Sequence, residues 1–374
     1  MKIVIDGRMY NESGIGRYLR NLISKLQEFE RENNYYILHL KKDYEKIIYR
    51  KNFQKVLADF KWYTISEQIK LPKILNNIKP DLVHIPHFNT PIFWNGKFVV
   101  TIHDLIHQHF SMDRSTAHGP LIYKFKNIGY KRVFNHAIKK SMKILTPSQF
   151  VKKQMKREWG IEGSKIVVTP EAVDDKFDAI ALKMNQEEVE EILGKLKIKN
   201  PYLFYVGNAH PHKNIDGLIK AFLKLKDKQK NLHLVLSGQD NFFWKKIKSK
   251  FQDKNIIYTG FVSDEELVVL YKNAAVYVEP SFEEGFGIPI LEAFACGCPV
   301  VSSNAGSLKE VGGEAAIYFN PNDIGDMVNK ILKVLGNGNL RKTLVEKGKK
   351  RVKLFNWKKM AEQTLEVYNS ALMI

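Results

Sequence analysis

Cysteine is nearly absent: Cys296 and Cys298 are the two in 374 residues. Lying two residues apart inside one apolar segment, they can build neither a disulfide framework nor a four-cysteine zinc site, and a reducing cytoplasm is the expected compartment. Long apolar runs are missing as well. Nowhere do about 18 uninterrupted apolar residues suggest a membrane span, and the start, "MKIVIDGRMYNES", lacks the apolar core of a secretory signal. A cytoplasmic chain, peripheral on the inner face of the membrane if it meets one, is the expectation. Acidic residues are in deficit: 59 Lys and Arg against 40 Asp and Glu leave a formal charge of +19. That excess suits an anionic partner, whether nucleic acid, nucleotide, phospholipid surface or phosphorylated metabolite. No repeat of solenoid period is present.

What is there points to two α/β domains, because the length exceeds the usual size of one core. In the second half the apolar runs "YLFYV", "LHLVLS", "NIIYTG", "AVYVEPS" and "PVVSS" alternate with segments of helical length and pattern. That alternation defines a parallel sheet. In "SDEELVVLYKN", Ser263 and Glu266 have the spacing of a capping box. The first half repeats the theme with "KIVID", "YYILHL", "DLVHIP", "FVVTIHD" and "KILTPS". Residues 174–199, polar and charged with a helical middle, read as the linker between a domain over 1–173 and one over 200–356. Ligands of doubly wound sheets sit at the carboxyl ends of the strands, so a cleft between two such domains is the expected site.

The segment "EEGFGIPILEAFACGCPVV" at 283–301 carries the sharpest chemistry. A strand precedes it and Pro289 suits the first turn of a helix, which makes "EGFG" a strand-to-helix loop. Its glycines, Gly285 and Gly287, allow close backbone approach. Amides at Gly287 and Ile288, with the helix dipole, form an anion site suited to phosphate. Glu284 stands ahead of the helix and Glu292 one turn inside it, so the two acids can address different hydroxyl groups of one ligand. A phosphate flanked by two polyols is the outline of a nucleotide sugar. The plainer reading, acids that stabilise a helix start beside small packing residues, fits the spacing equally well.

"EGFGIPILEAFACGCPVV" resembles the E-x7-E signature of the family 4 glycosyltransferases, retaining enzymes of the GT-B fold that use nucleotide-sugar donors. "YVGNAHPHKNIDGLIKAF" at 205–222 resembles the donor-phosphate segment of that family, and "SNAGSLKEVGGEAAIYFNPND" its continuation beyond the signature. "IDGRMYNESGIGRY", "HIPHFNTP", "TIHDLIH" and "LTPSQF" are similar to its acceptor-domain landmarks. The resemblance spans about Met1 to Asp323 and the final helix, 357–374, which in this fold returns to the first domain.

The resemblance implies roles. Glu284 binds donor-sugar hydroxyls and Glu292 the ribose. Lys213 neutralises the diphosphate with the amides of Gly287 and Ile288, and Asn208, His212, Gly285 and Phe286 complete the donor site. His103 hydrogen-bonds the transferring sugar, and Gly14 and Gly16 let the first loop approach the donor. His103, Lys213 and Glu284 are the expected catalytic groups. His212 stands where an arginine is common, so Lys213 is expected to act alone as the phosphate cation. The family needs no metal or other cofactor. His103 and His107 have the spacing of zinc ligands on a helix, but "FVVTI" runs into His103 as a strand, against a metal site. In "GIGRY" the third glycine of a dinucleotide fingerprint is replaced by Leu19, which disfavours a nicotinamide enzyme. Glu171 and Ala172 replace a common Asn-Gly and receive no role.

"GIGRY", "PHFNTP" and "PHKN" together resemble mannosyltransferases of bacterial surface polysaccharides, which makes GDP-mannose the favoured donor and a UDP-hexose the second. A glycan or lipid-linked glycan is the expected acceptor. The stretch from Arg114 to Arg157 holds no acidic residue and fits either an anionic membrane surface or an ordinary solvated face. The rivals are a sugar-nucleotide epimerase of the same architecture and, from a different class, a nonenzymatic nucleic-acid binder. Without a recognised binding module, nucleic acid is not an expected partner.

Overall fold

The computed structural model describes residues 1–12, 14–110 and 120–373, the side chains of 120–127 and 178 excepted. Two units divide the chain: Met1–Leu105, Asp113–Glu171 and Asn356–Ile374 form the first, Ile106–Met112 and Ala172–Phe355 the second. The first is built on seven strands: β1 (Lys2–Ile5), β2 (Asn34–His39), β3 (Phe53–Leu57), β4 (Leu82–Ile85), β5 (Phe98–Thr101), β6 (Lys143–Thr146) and β7 (Ile166–Val168). They pair in the order β3-β2-β1-β4-β5-β6-β7, all parallel. Six strands build the second: β8 (Tyr202–Val206), β9 (His233–Ser237), β10 (Ile256–Gly260), β11 (Val276–Glu279), β12 (Val300–Ser303) and β13 (Ala316–Phe319). Their order is β10-β9-β8-β11-β12-β13, again parallel.

Helices cover these sheets, so the central strands are apolar along their whole length rather than alternating. Ile3, Val4 and Ile5 of β1 and Leu203, Phe204 and Tyr205 of β8 are fully buried. The helix Ile215–Lys226 presses Leu218, Phe222 and Leu225 onto the second sheet, where Trp244 closes the core. In both sheets the strand order reverses beside the first strand, between β1 and β4 and between β8 and β11. In the second sheet, side chains on the loops leaving that pair of strands are held together, which is where doubly wound sheets place ligands.

The helix Trp357–Leu372 belongs to the first unit and buries Trp357, Met360, Ala361, Thr364 and Tyr368. Its hydroxyl group at Tyr368 lies 2.6 Å from Nδ1 of His84, whose Nε2 lies 2.8 Å from Oγ1 of Thr101. The chain end is thereby fastened to β4 and β5. Burial pushes the His84 imidazole down to about 3, so it is neutral at pH 7.

Three strands do not stand out in the sequence: β3, β7 and β13. Each lies at the edge of its sheet. An edge strand packs fewer neighbours and needs no continuous apolar run, as "FQKVL" in β3 illustrates, with Gln54 and Leu57 exposed. Residues 174–199 are not an independent linker. They form the helices Lys176–Lys183 and Gln186–Lys195, grouped with the second unit and tied to the helix Asp264–Asn273 by Lys176–Asp264 and Lys195–Glu266 ion pairs. The latter helix opens with the expected capping box, Ser263 Oγ accepting from Glu266 N and Glu266 accepting from Ser263 N. Cys296 and Cys298 are buried thiols outside any disulfide, and burial pushes the Cys298 thiol up to about 12.

Of the acid-free stretch from Arg114 to Arg157, residues 114–119 and the side chains of 120–127 lie outside the described residues. Beyond them Lys143 and Lys152 donate to the carbonyls of Ser164 and Ile166 at 3.0 and 2.6 Å. Among the described residues no helix is long and apolar enough to cross a membrane. Replacing Tyr368 by Phe strands a buried imidazole nitrogen of His84. The expected loss is about 2 kcal/mol, read as a lower urea midpoint; an unchanged midpoint contradicts the fastening role.

Candidate active site

Lys213 and Glu284 meet because their loops leave adjacent strands at the reversal point. Lys213 follows β8 in the short turn Pro211–Lys213, and Glu284 follows β11. Nζ of Lys213 lies 2.5 Å from Oε1 of Glu284, and both side chains are largely buried. Burial alone raises a carboxyl pKa, but the Lys213 charge and hydrogen bond outweigh it, and Glu284 is held below its usual range.

The loop that carries Glu284 is pinned from several directions. Phe282 N donates to the carbonyl of His212 at 2.7 Å, and Asn214 Nδ2 donates to the carbonyls of Pro280 and Pro321, each at 3.1 Å. Ser307 Oγ lies 2.9 Å from the carbonyl of Glu284 and 2.7 Å from that of Phe286, its one proton shared between them. Gly306 has φ of +61°, and a Cβ there would stand 2.6 Å from the Glu284 nitrogen. Glycine is therefore required both for the left-handed backbone and for contact with the turn. Gly287, with φ of +107°, caps the helix Ile288–Ala295, whose first amides lie outside its own hydrogen-bond ladder.

Glu292 is buried inside that helix and accepts a hydrogen bond from Tyr271 at 2.9 Å. His212 is buried beside Lys213, and burial together with the Lys213 charge pushes it down to about 4. It is neutral at pH 7, so Lys213 carries the positive charge of this turn. Asn208 folds its loop by accepting from His210 N at 3.2 Å. Phe286 packs edge-on to Phe355 as a core side chain, which leaves its backbone as the part available to a ligand.

In the first unit, Gly14 opens the helix Gly14–Phe29 with no atom near a notional Cβ, whereas a Cβ on Gly16 would lie 2.6 Å from the Tyr10 carbonyl. Gly16 is thus required by its own loop. His103 follows β5, outside the helix Ile106–His109 that carries His107. Its Nδ1 lies 2.9 Å from Oε1 of Glu171 and its Nε2 lies 3.0 Å from the Pro86 carbonyl. Both neighbours only accept, so the ring satisfies them by carrying both protons. Burial lowers its pKa, but the Glu171 hydrogen bond and charge outweigh that and raise it. Glu171, given no role from sequence, is the partner that fixes His103. No group of three or more His, Cys, Asp or Glu is placed to hold a metal ion among the described residues.

Two parallel doubly wound units, with an acid-bearing glycine loop and a lysine at one reversal point, are the architecture of the GT-B glycosyltransferases. The comparisons with known proteins agree. The model for glycosyltransferase family 4 matches residues 13–177, and that for group 1 glycosyl transferases matches 186–351. The O-antigen chain mannosyltransferase B of Escherichia coli is 32% identical over 301 residues, covering 79% of this chain and 75% of that one. The serotype-specific mannosyltransferase WbdA of Escherichia coli is 25% identical over 331 residues, but this chain spans 37% of its length. Among solved structures, Anabaena HepE in complex with UDP and glucose superposes with a TM-score of 0.75 at 16% identity, covering 99% of each chain. The chain belongs to the family 4 glycosyltransferases.

The His103–Glu171 pair has a defined pH signature. A histidine whose pKa is raised by folding contributes its stabilisation fully below the ordinary imidazole range and loses it as pH rises through the folded value. Glu171→Gln should therefore cost about 2 kcal/mol in urea unfolding on the acid side of neutrality and progressively less at alkaline pH. A cost independent of pH contradicts the pairing.

Proposed function

We propose that the protein transfers a hexose, mannose first among the candidates, from a nucleotide-diphosphate sugar to a glycan or lipid-linked glycan of a surface polysaccharide. The Lys213–Glu284 pair at the reversal point carries this reading. A diphosphate arriving there meets a cation already in place, and a carboxylate released from that cation is free to accept hydrogen bonds from sugar hydroxyls. GDP-mannose is the favoured donor, because the relatives named above are mannosyltransferases; a UDP-hexose is the second, supported by the UDP bound to HepE. Glu292 takes the ribose, and Asn208, His212, Gly285 and Phe286 shape the walls. The first unit takes the acceptor, while Gly14 and Gly16 let its first loop approach the donor and His103 hydrogen-bonds the transferring sugar. An anionic inner membrane surface is the proposed meeting place with a lipid-linked acceptor.

Cleavage of the bond between the anomeric carbon and the diphosphate leaves negative charge on the departing oxygen. Lys213 and the amides of Gly287 and Ile288 stabilise that charge, an electrostatic contribution that is often the largest in catalysis. The acceptor hydroxyl attacks from the face the diphosphate leaves, and a phosphate oxygen takes its proton. Configuration is then retained without a protein nucleophile, and the lysine and helix dipole serve where other transferases use a metal.

Lys213→Ala should weaken GDP or UDP binding by about tenfold or more, the equivalent of one charge-assisted contact, while leaving guanosine or uridine binding unchanged in calorimetry. Equal weakening of nucleoside and nucleotide contradicts the phosphate role. Glu284→Ala should abolish transfer, measured at a temperature where the variant is still folded, and a fully active variant contradicts its assignment.

A further inference from the structure

The segment Ile106–Met112 is grouped with the second unit, although the chain before it, to Leu105, and after it, from Asp113, belongs to the first. Its described part is the helix Ile106–His109 and Phe110, whose amide donates to the Ile106 carbonyl at 2.9 Å.

Two side chains hold this segment on the second unit. Nδ1 of His109 lies 3.0 and 2.8 Å from the two carboxylate oxygens of Glu283, across 174 residues of chain. An ionised carboxylate only accepts, so this nitrogen carries a proton and donates to both oxygens. The pair is partly shielded, with 28% of the His109 side chain and 13% of the Glu283 side chain exposed. The next residue, Phe110, sets its ring 5.9 Å from that of the buried His212, at 54°.

Both anchor points stand next to the pair on which the donor reading depends. Glu283 precedes Glu284 and His212 precedes Lys213, so two consecutive residues of the segment touch the immediate neighbours of both charged partners. The two loops are also joined there by one main-chain bond, from Phe282 N to the His212 carbonyl at 2.7 Å. His109 and Phe110 close a circle around that bond. Consecutive Cα atoms stand about 3.8 Å apart across a planar peptide, so a side chain fixed at 283 restricts where the backbone of 284 can lie. Packing on His212 does the same for Lys213. Ser307 and Gly306 hold the Glu284 turn through its backbone, whereas His109 reaches it through the neighbouring side chain.

We propose that residues 106–110 act as a strap on the donor loops, with His109 positioning Glu284 through Glu283 and Phe110 positioning Lys213 through His212. Both are positioning residues, because each acts through the neighbour of a ligand-binding group. The strap is a property of the folded chain; its consequence for transfer rests on the donor reading given above. Under that reading the two anchors serve different halves of the donor, Glu284 the sugar and Lys213 the diphosphate. Losing one should not resemble losing the other.

The test uses the full chain. His109→Ala should lower kcat for hydrolysis of GDP-mannose or UDP-glucose about tenfold, one hydrogen bond's worth, with affinity for GDP and UDP unchanged in calorimetry. His109→Asn, whose amide N–H can stand where the Nδ1 proton stands, should recover most of that loss. Phe110→Ala should instead weaken GDP and UDP about fivefold, the equivalent of one aromatic contact. Unaltered kcat and affinity, or equal losses of both in each variant with no recovery by asparagine, overturn the positioning roles. The tether itself is judged by urea unfolding of His109→Ala, Glu283→Ala and the double variant. The combined loss in folding constant should fall short of the product of the single losses by about fivefold, and losses that simply multiply overturn the strap. A wild type that neither binds nor hydrolyses these nucleotides refutes the donor reading instead, and leaves the unfolding cycle to judge the strap.

Discussion

Everything in the second unit turns on one constraint: a buried lysine and a buried glutamate must stay in contact. Removing either leaves an uncompensated charge in a poorly solvated place, at a cost far above that of a surface ion pair. The surrounding structure can be understood as the means of keeping Lys213 and Glu284 together. The strand order brings their loops side by side, Ser307 and Asn214 fasten the loop backbones, and Gly306 gives the turn room. A ligand that offers anionic oxygen to the lysine and hydroxyl groups to the glutamate can replace each partner of the pair at once. Few small-molecule classes offer both, and nucleotide sugars are one.

The first unit applies the same logic to a histidine. His103 faces a carboxylate and a carbonyl, and its two protons are the chemical answer to two acceptors. His84, deeper and bounded by two hydroxyl groups, takes the opposite state and stays neutral. Two histidines of one unit are thus shifted in opposite directions, decided by whether a neighbour is anionic.

Most of the central strands and the helix starts can be read from sequence, because burial on both faces leaves unbroken apolar runs and because Ser263 and Glu266 announce a helix at fixed spacing. The edge strands β3, β7 and β13 escape that reading, since half their surroundings are solvent or helix ends. Glu284, Glu292 and Lys213 stand in local patterns of glycine, proline and acid. Glu171 does not. Glu171 is 68 residues from His103, and nothing local marks it except its departure from a common Asn-Gly. Lys213 and Glu284 each stand in a local pattern, but their contact spans 71 residues. Pairings across such separations are set by strand order, which a single sequence does not display. The linker was misread for a related reason: its polar helices pack one face on the second unit, and amphipathic surface helices share their composition with connections.

The central claim is an exchange of partners at Lys213. A crystal structure of the protein with GDP or UDP bound tests it most directly. The account predicts phosphate oxygens within hydrogen-bond distance of Lys213 Nζ, with the Glu284 carboxylate drawn off it and turned toward the sugar position. A diphosphate bound elsewhere, with the lysine and glutamate still joined, would contradict it.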